Sequence, residues 1–508
     1  MREIDLNTRN GTATKPVLLL VLDGIRPDVL RAAIEEGDAP ALGLLAERGE
    51  AVWDAVSVFP SITPAATAAI ATGAAPAESG ILGHAWYDRE EGRVVVYGAM
   101  RDTVISTGPI KVFHNNVWRM NRVDLRAETL FETLHERGID GACVNFPVRR
   151  GPHEHPVRLR SVRRVADRGI LLGDSVGGPK EYFMGDLFYS RDTGLHGRTG
   201  EGGIRRSVGI NDAYAAGVGA MLLREKAAPL TLVYFFKGDS IAHHKGLAAQ
   251  REYVATLDGY VAAFFEAAGG PERALEEYAV MALSDHGHTP LLSNRRRYVR
   301  LRRILGEGTE VGSRARFEPG VEILAVPNGR SAFLYLADGV DREKVVVNAH
   351  SRRGVDLAAW SEGGWGVVRR LGRELRFRPG EGPSDTAGRS WEFEGDPRAL
   401  EIRVSKNNEI RYGEYPDALE RLWGCLRSPR SGDVVLSASP GYTFGELSQT
   451  FHEQSDHGSL HASDSNVFVL ASGIAAPRRI TDVTSTLLAH FGAGAEKNLP
   501  GIVEDRVS

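Results

Sequence analysis

Unbroken apolar runs, each stopping at or just short of an acid, set the pattern of the first part of the chain. VLLLVL (Val17–Leu22), TLVYFF (Thr231–Phe236) and AVMAL (Ala279–Leu283) are continuous and rich in Val and Leu. Runs of this kind suit strands of a parallel sheet covered on both faces. Between them the period changes. The stretch from Asp28 to Arg48 reads as helical, and AETLFETLHER (Ala127–Arg137) repeats apolar residues at helical spacing before Gly138, a good C-terminal cap. GACVNF (Gly141–Phe146) comes next as a further strand. This βα alternation over residues 17–290 predicts an α/β fold, a doubly wound and mostly parallel central sheet with helices on both faces.

From about Arg295 the pattern shortens. An arginine cluster (Arg295, Arg296, Arg297, Arg300, Arg302, Arg303) precedes Gly-rich turns and short alternating segments: RSAFLYLADG, KVVVNAH, WEFEG and EIRVS. These read as hairpins of an inserted α+β cap over 291–430, and the arginines most simply as a solvated face. The catalytic core is then expected to comprise 1–290 plus 431–508. It resumes at GDVVLSASPG (Gly432–Gly441), runs through the strand NVFVLASG (Asn466–Gly473) and ends in a helix near Thr481–Phe491.

Parallel sheets bind ligands at the carboxyl ends of their strands, so the residue at the end of each apolar run matters. Asp23 comes directly after the first, Asp239 after the second with a short step between, and Asp285 after the third with one serine between. Any one such acid is ordinarily a turn former or helix cap. Three of them along one edge, with His243 four residues after Asp239, His286 next to Asp285, and a later His457 in SDHGSLH, form a pattern that caps do not explain. Carboxylate with imidazole is a ligand set for zinc, manganese or iron rather than calcium.

Composition narrows the classes. The 508 residues, 42% hydrophobic and 25% charged, describe an ordinary globular protein long enough for a large core with an insertion. A net charge of -4 offers no global basic field, which argues against a nucleic-acid scaffold. The polar start MREIDLNTRNGTATKP and the brevity of the run before Asp23 leave no signal-peptide core or membrane span, so a cytoplasmic protein without membrane partners is expected. Cys143 and Cys425 make no CxxC pair and read as small buried apolar residues.

A nucleophile candidate lies in FPSITPAATAAIATG, where Thr63 precedes Pro64 and an Ala-rich run. Proline suits the first helical position and threonine the cap, so Thr63 is expected at a helix N-terminus, where free N–H groups stabilise an anion. A threonine hydroxyl is otherwise a poor nucleophile, and a neighbouring divalent cation would correct that.

With these residues in place, the chain resembles the alkaline phosphatase superfamily, most closely its nucleotide pyrophosphatase/phosphodiesterase branch. The matching blocks are VLDGIRPD, FPSITPAATAAIATGAAPAESGI, GDSIAHHKG, SDHGH and SDHGSLH, in family order across most of the chain. The resemblance implies a three-layer α/β/α sandwich and two divalent metal ions, ordinarily zinc with manganese as an alternative. Asp239, His243 and His457 match the ligands of one ion. Asp23, Asp285 and His286 match those of the other, which also binds the nucleophile Thr63. His244, His288 and His461 match no ligand position and are expected to be outer or structural groups. Where the branch carries an asparagine that holds a phosphoryl oxygen, this chain has His84, which can donate the same hydrogen bond. The segment GHAWYD is also similar to phosphonoacetate hydrolases. The resemblance thus implies a two-metal phosphodiesterase or nucleotide pyrophosphatase, working through a phosphothreonine on a small phosphorylated substrate such as a nucleotide. A phosphonate hydrolase or phosphomonoesterase, and a non-catalytic metal-binding protein on the same fold, are the alternatives.

Overall fold

In the computed structural model, which describes residues 14–98, 107–158, 175–195, 210–293, 295–350, 352–445 and 454–493, the three apolar runs lie side by side. Val17–Leu22 pairs in parallel with Leu230–Phe235 on one side and Ala279–Leu283 on the other, bringing Leu22 opposite Phe235 and Val21 opposite Leu283. The parallel sheet continues through Gly141–Val144 to Glu181–Met184. Antiparallel strands finish both edges: Asn466–Ser472 and then Glu50–Val56 beyond Ala279–Leu283, and the short Phe188–Tyr189 at the far side. The register puts Asp23, Asp239 and Asp285 at one end of three adjacent strands. Most of the polar N-terminal segment, residues 1–13, lies outside the described residues.

Alternate residues of Val17–Leu22 feed two different cores, as a strand buried on both faces requires. Leu18, Leu20 and Leu22 pack with Val29, Leu30, Leu42 and Leu45 and with Tyr253, Leu257 and Phe264 of the long helix Leu247–Ala267. Val17, Leu19 and Val21 face Ala65, Ala69 and Ile70 of the helix Thr63–Thr72. Each such Val or Leu contributes about 1.5–3 kcal/mol of apolar burial. The helical stretch expected from Asp28 to Arg48 is two helices, Pro27–Glu35 and Pro40–Arg48, separated at Gly37, whose φ is +84°. Proline at the first position of each supplies φ without losing a needed N–H.

The later region forms a second sheet of eight strands, in the order Thr309–Val311, Ile323–Asn328, Ser331–Leu336, Val434–Ala438, Val355–Glu362, Trp365–Arg370, Arg373–Ser384 and Ser390–Gly395. Two expectations change here. Val434–Ala438, read as the return to the main sheet, is an inner strand of this second one, antiparallel to both Ser331–Leu336 and Val355–Glu362. KVVVNAH, read as a strand from its β-branched run, is the end of the helix Arg342–His350. Asp341 accepts from the N–H of Lys344 at its start, a helix-entry signal that outweighs local β propensity. Leu324, Val326, Phe333, Tyr335 and Leu357 of the second sheet belong to the same apolar cluster as Val17, Leu19 and Ala65. Of the arginine cluster, Arg296, Arg302 and Arg303 are exposed, and the side chain of Arg295 lies outside the described residues. Among the described residues, no helix is long and apolar enough to cross a membrane.

Candidate active site

Asp23 and Asp285 are each held by one oxygen and offer the other. Asp23 accepts the hydroxyl of Tyr234 on Oδ2, and Asp285 accepts the N–H groups of Gly24 and His286 on Oδ1, both at 3.0 Å. That leaves Asp23 Oδ1 and Asp285 Oδ2 buried without a hydrogen-bond partner, together with Asp239 Oδ1. Among the described residues these are the only buried carboxylate oxygens in that state. Leaving an anionic oxygen so is costly unless a cation faces it.

The imidazoles converge on the same space. Asp239 and His243 sit one turn apart on the helix Lys237–Lys245, with His243 Nε2 3.2 Å from Asp239 Oδ1. His457 Nε2 lies 3.4 Å from that oxygen, and His286 Nε2 lies 3.4 Å from Asp23 Oδ1 and 3.6 Å from Asp285 Oδ2. The other nitrogen of each ring meets a backbone carbonyl. His243 Nδ1 bonds Ser455 O at 2.9 Å, His457 Nδ1 bonds Ser61 O at 2.8 Å, and His286 Nδ1 bonds Gly287 O at 3.1 Å. A carbonyl can only accept, so Nδ1 must donate, and in a neutral ring Nε2 then carries a lone pair. In neutral rings these lone pairs face unpartnered carboxylate oxygens, so a positive charge belongs between them, either a proton on Nε2 or a metal cation that serves several donors at once.

The charges respond to one another. Burial would raise Asp239, but the charge of His243 beside it outweighs burial and holds its carboxyl well below the usual range. Burial, with Asp23 beside it, pushes Asp285 well above the usual range. Against their own burial, Asp239 lifts His243 to about 9, and Asp285 and Asp23 lift His286 to about 10. Both imidazoles register the same deficit of positive charge that the orphan oxygens do. The donor set fits a divalent transition-metal cation, which would satisfy oxygens and nitrogens together.

Thr63 stands at the edge of this group, its Oγ1 3.0 Å from His286 Nε2. The helix begins one residue earlier than expected: Ile62, in extended conformation, is the cap, and Thr63 is the first helical residue, followed by Pro64. The Thr63 hydroxyl is therefore not a capping group but is turned to the imidazole. The neighbouring hydroxyl of Ser61 is fully buried elsewhere, donating toward the carbonyls of Val58 and Ser459 and accepting from Arg421 Nη2. His84 is half-buried where the hairpin of Ala85–Asp88 and Arg93–Val96 begins, its carbonyl accepting from Tyr97 N. A Cβ on its neighbour Gly83 would come within 3.8 Å of Ile62, the residue before Thr63.

The remaining candidates separate. His244 is exposed on the outer side of its helix. His461 caps the short helix Ala462–Ser465 by accepting from Ser463 N. Both cysteines are buried, and burial pushes each thiol up to about 12, as expected for packing residues. His288 is the departure. Expected as an outer group, it is fully buried with Nε2 3.0 Å from Asp239 Oδ1, and its ligand atom lies within 4.8 Å of those of Asp239, His243 and His457. The repeat of histidine two residues apart in SDHGH, with glycine between, was the available signal.

Comparison with known proteins agrees in class. The family model described as type I phosphodiesterase/nucleotide pyrophosphatase matches residues 17–464. Phosphonoacetate hydrolase from Sinorhizobium meliloti, in complex with phosphonoformate, superposes with a TM-score of 0.55 at 19% identity, covering 95% of this chain and 96% of that one. Murine ectonucleotide pyrophosphatase/phosphodiesterase 5, in an inactive form with AMP, gives 0.57 at 12% identity over 94% and 95%. The human counterpart gives 0.58 at 14% identity over 96% and 97%. A search of curated protein sequences finds no match.

Proposed function

The chain belongs to the type I phosphodiesterase/nucleotide pyrophosphatase family, and from that premise we propose a two-metal hydrolase of small phosphodiesters or nucleotide pyrophosphates with Thr63 as its nucleophile. One observation carries the reading: three orphan carboxylate oxygens and the Nε2 atoms of His243, His286 and His457 converge beside the Thr63 hydroxyl. Asp239, His243 and His457 would hold one divalent cation, and Asp23, Asp285 and His286 the other, zinc or manganese by donor chemistry. Bound there, the ions would neutralise phosphoryl oxygens and lower the pKa of a nearby hydroxyl.

The chain's own residues do the rest. Thr63 Oγ1 forms a bond to phosphorus as the leaving oxygen departs, and hydrolysis of the resulting phosphothreonine restores the hydroxyl. The first N–H groups of the helix Thr63–Thr72 stabilise the developing charge, and His84 donates to a non-bridging oxygen. Tyr234 and the carbonyls of Ser455, Ser61 and Gly287 keep acids and rings in place, so the site is arranged before substrate arrives.

A phosphonate hydrolase is the second reading, favoured by the GHAWYD segment around His84. A panel of bis(p-nitrophenyl) phosphate, p-nitrophenyl phosphate, a nucleoside triphosphate and phosphonoacetate, run on zinc- or manganese-loaded protein, separates the two. Preferential turnover of the diester and the triphosphate, with two ions per chain by elemental analysis, is the expected result. Turnover of phosphonoacetate alone establishes the second reading, and ion binding without turnover of any substrate establishes a non-catalytic protein.

A further inference from the structure

We propose that His288 is a fourth protein ligand of the cation held by Asp239, His243 and His457, giving that site three imidazoles and one carboxylate. The proposal rests on the reading that this group binds metal. The tautomer argument applies to His288 as to the others, through a hydroxyl instead of a carbonyl. Ser455 Oγ has one hydrogen, and it goes to the carbonyl of Ala242 at 2.6 Å. Toward His288 Nδ1, 3.2 Å away, the hydroxyl can therefore only accept, so Nδ1 carries the proton and the neutral ring's Nε2 carries the lone pair. That Nε2 is buried without a hydrogen-bond partner and lies 3.0 Å from Asp239 Oδ1, itself an orphan acceptor. Two acceptors held this close repel unless a cation sits between them.

Distances support a shared ion. Asp239 Oδ1 has His288 Nε2 at 3.0 Å, His243 Nε2 at 3.2 Å and His457 Nε2 at 3.4 Å. Ligands about 2.0–2.1 Å from a tetrahedral zinc are about 3.3–3.4 Å apart, so these spacings match the edges of such a shell. Gly24 keeps the flank open: its φ is +65°, and a Cβ there would lie 2.7 Å from His288 Nε2 and 2.9 Å from Asp239 Cβ. Four protein donors make this the more retentive of the two sites, with substrate oxygen reached by expansion to a fifth position, whereas the Asp23, Asp285 and His286 group offers three donors beside Thr63.

Loading the metal-free full-length protein with cobalt(II) chloride and recording its proton spectrum in water tests this directly. Each imidazole bound through Nε2 keeps its Nδ1 proton and gives one exchangeable, paramagnetically shifted resonance. Four such signals, from His243, His286, His288 and His457, are expected, with one lost in His288→Asn. The same variant should hold one of its two cobalt ions at least ~100-fold more weakly in chelator competition, beyond the usual effect of losing an outer partner. Three signals in the unaltered protein overturn the assignment of His288, whether or not the variant folds, and so does unchanged cobalt affinity in a folded His288→Asn. No shifted signal and no retained cobalt overturn the metal reading itself.

Discussion

The two eight-stranded sheets treat charge in opposite ways. Along the second sheet, acids and arginines are matched: Arg369 with Glu343 and Glu374, Arg370 with Asp356, Arg376 with Glu394, Arg378 with Glu392. At the strand ends of the main sheet, three acids are gathered with no arginine or lysine among the described residues to answer them and with imidazoles turned lone pair inward. Paired charge maintains a surface, whereas an unanswered cluster, kept buried at a cost to stability, is where a ligand's charge belongs. The sharpest test is to remove the neutral hydroxyl proposed as the nucleophile. Thr63→Ala should lower turnover on the order of 10³-fold or more while both ions remain, because no acid or imidazole is altered. Thr63→Ser should recover part of it, and trapping at low pH should place the phosphoryl group on residue 63. A label on Ser61 would break the assignment.

The contrast does not make the second sheet dispensable. Its turn at Asn328–Ser331 props the loop that carries His457: Arg330 N donates to His457 O at 2.8 Å, and the buried guanidinium clasps Asp464 at 2.6 and 2.7 Å. Arg330→Ala should therefore cost about 3–5 kcal/mol of stability, the usual result of stripping one partner from a buried ion pair. Thermal melts and metal content measured together decide the point. A variant that melts lower yet keeps both ions would mean that the His457 loop stands without the prop. Excising 291–430 would also open the apolar cluster that Phe333 and Leu357 share with Val17 and Leu19, so unfolding is the expected outcome.

His84 comes next in size. As a single donor to a developing oxyanion it should be worth about 2–4 kcal/mol of transition-state stabilisation, lost in His84→Ala and largely kept in His84→Asn, which has a donor of similar reach. Comparing kcat/KM for diester and phosphonoacetate in both variants also shows whether the residue selects substrate. Equal, near-total loss in the two would make the imidazole an acid or base instead.

Continuous apolar runs were legible as strands because burial on both faces leaves no room for polar alternation, and their parallel pairing put Asp23, Asp239 and Asp285 where the spacing implied. The nearness of Thr63 to a helix start and of His243 and His286 to the strand-end acids was legible for the same reason, although the helix starts one residue earlier than the Pro64 signal implied. The second sheet was harder. Val434–Ala438 is fully buried and could belong to either sheet by composition, and only its partners Ser331–Leu336 and Val355–Glu362 decide. Arg342–His350 carries three consecutive valines in a helix, which local propensity argues against. For His288 the sequence offered only the SDHGH repeat, since the contact that sets its tautomer comes from Ser455, 167 residues away, which donates to the carbonyl of Ala242.

The smallest effect is as diagnostic as the largest. Arg376 and Glu394 pair across neighbouring strands at 3.2 Å with side chains 37% and 52% exposed. Water screens such a pair and its side chains lose rotamer freedom to hold it, so a double-mutant cycle with Arg376→Met and Glu394→Gln should return a coupling of about 0.2–1 kcal/mol that fades in added salt. Metal content and kcat/KM should not move in any member of the cycle, because a matched, solvent-screened pair does not act at a distance. A change in either would show that the paired face feeds the cluster electrostatically, and the division between a matched sheet and an unmatched one would no longer separate scaffold from chemistry.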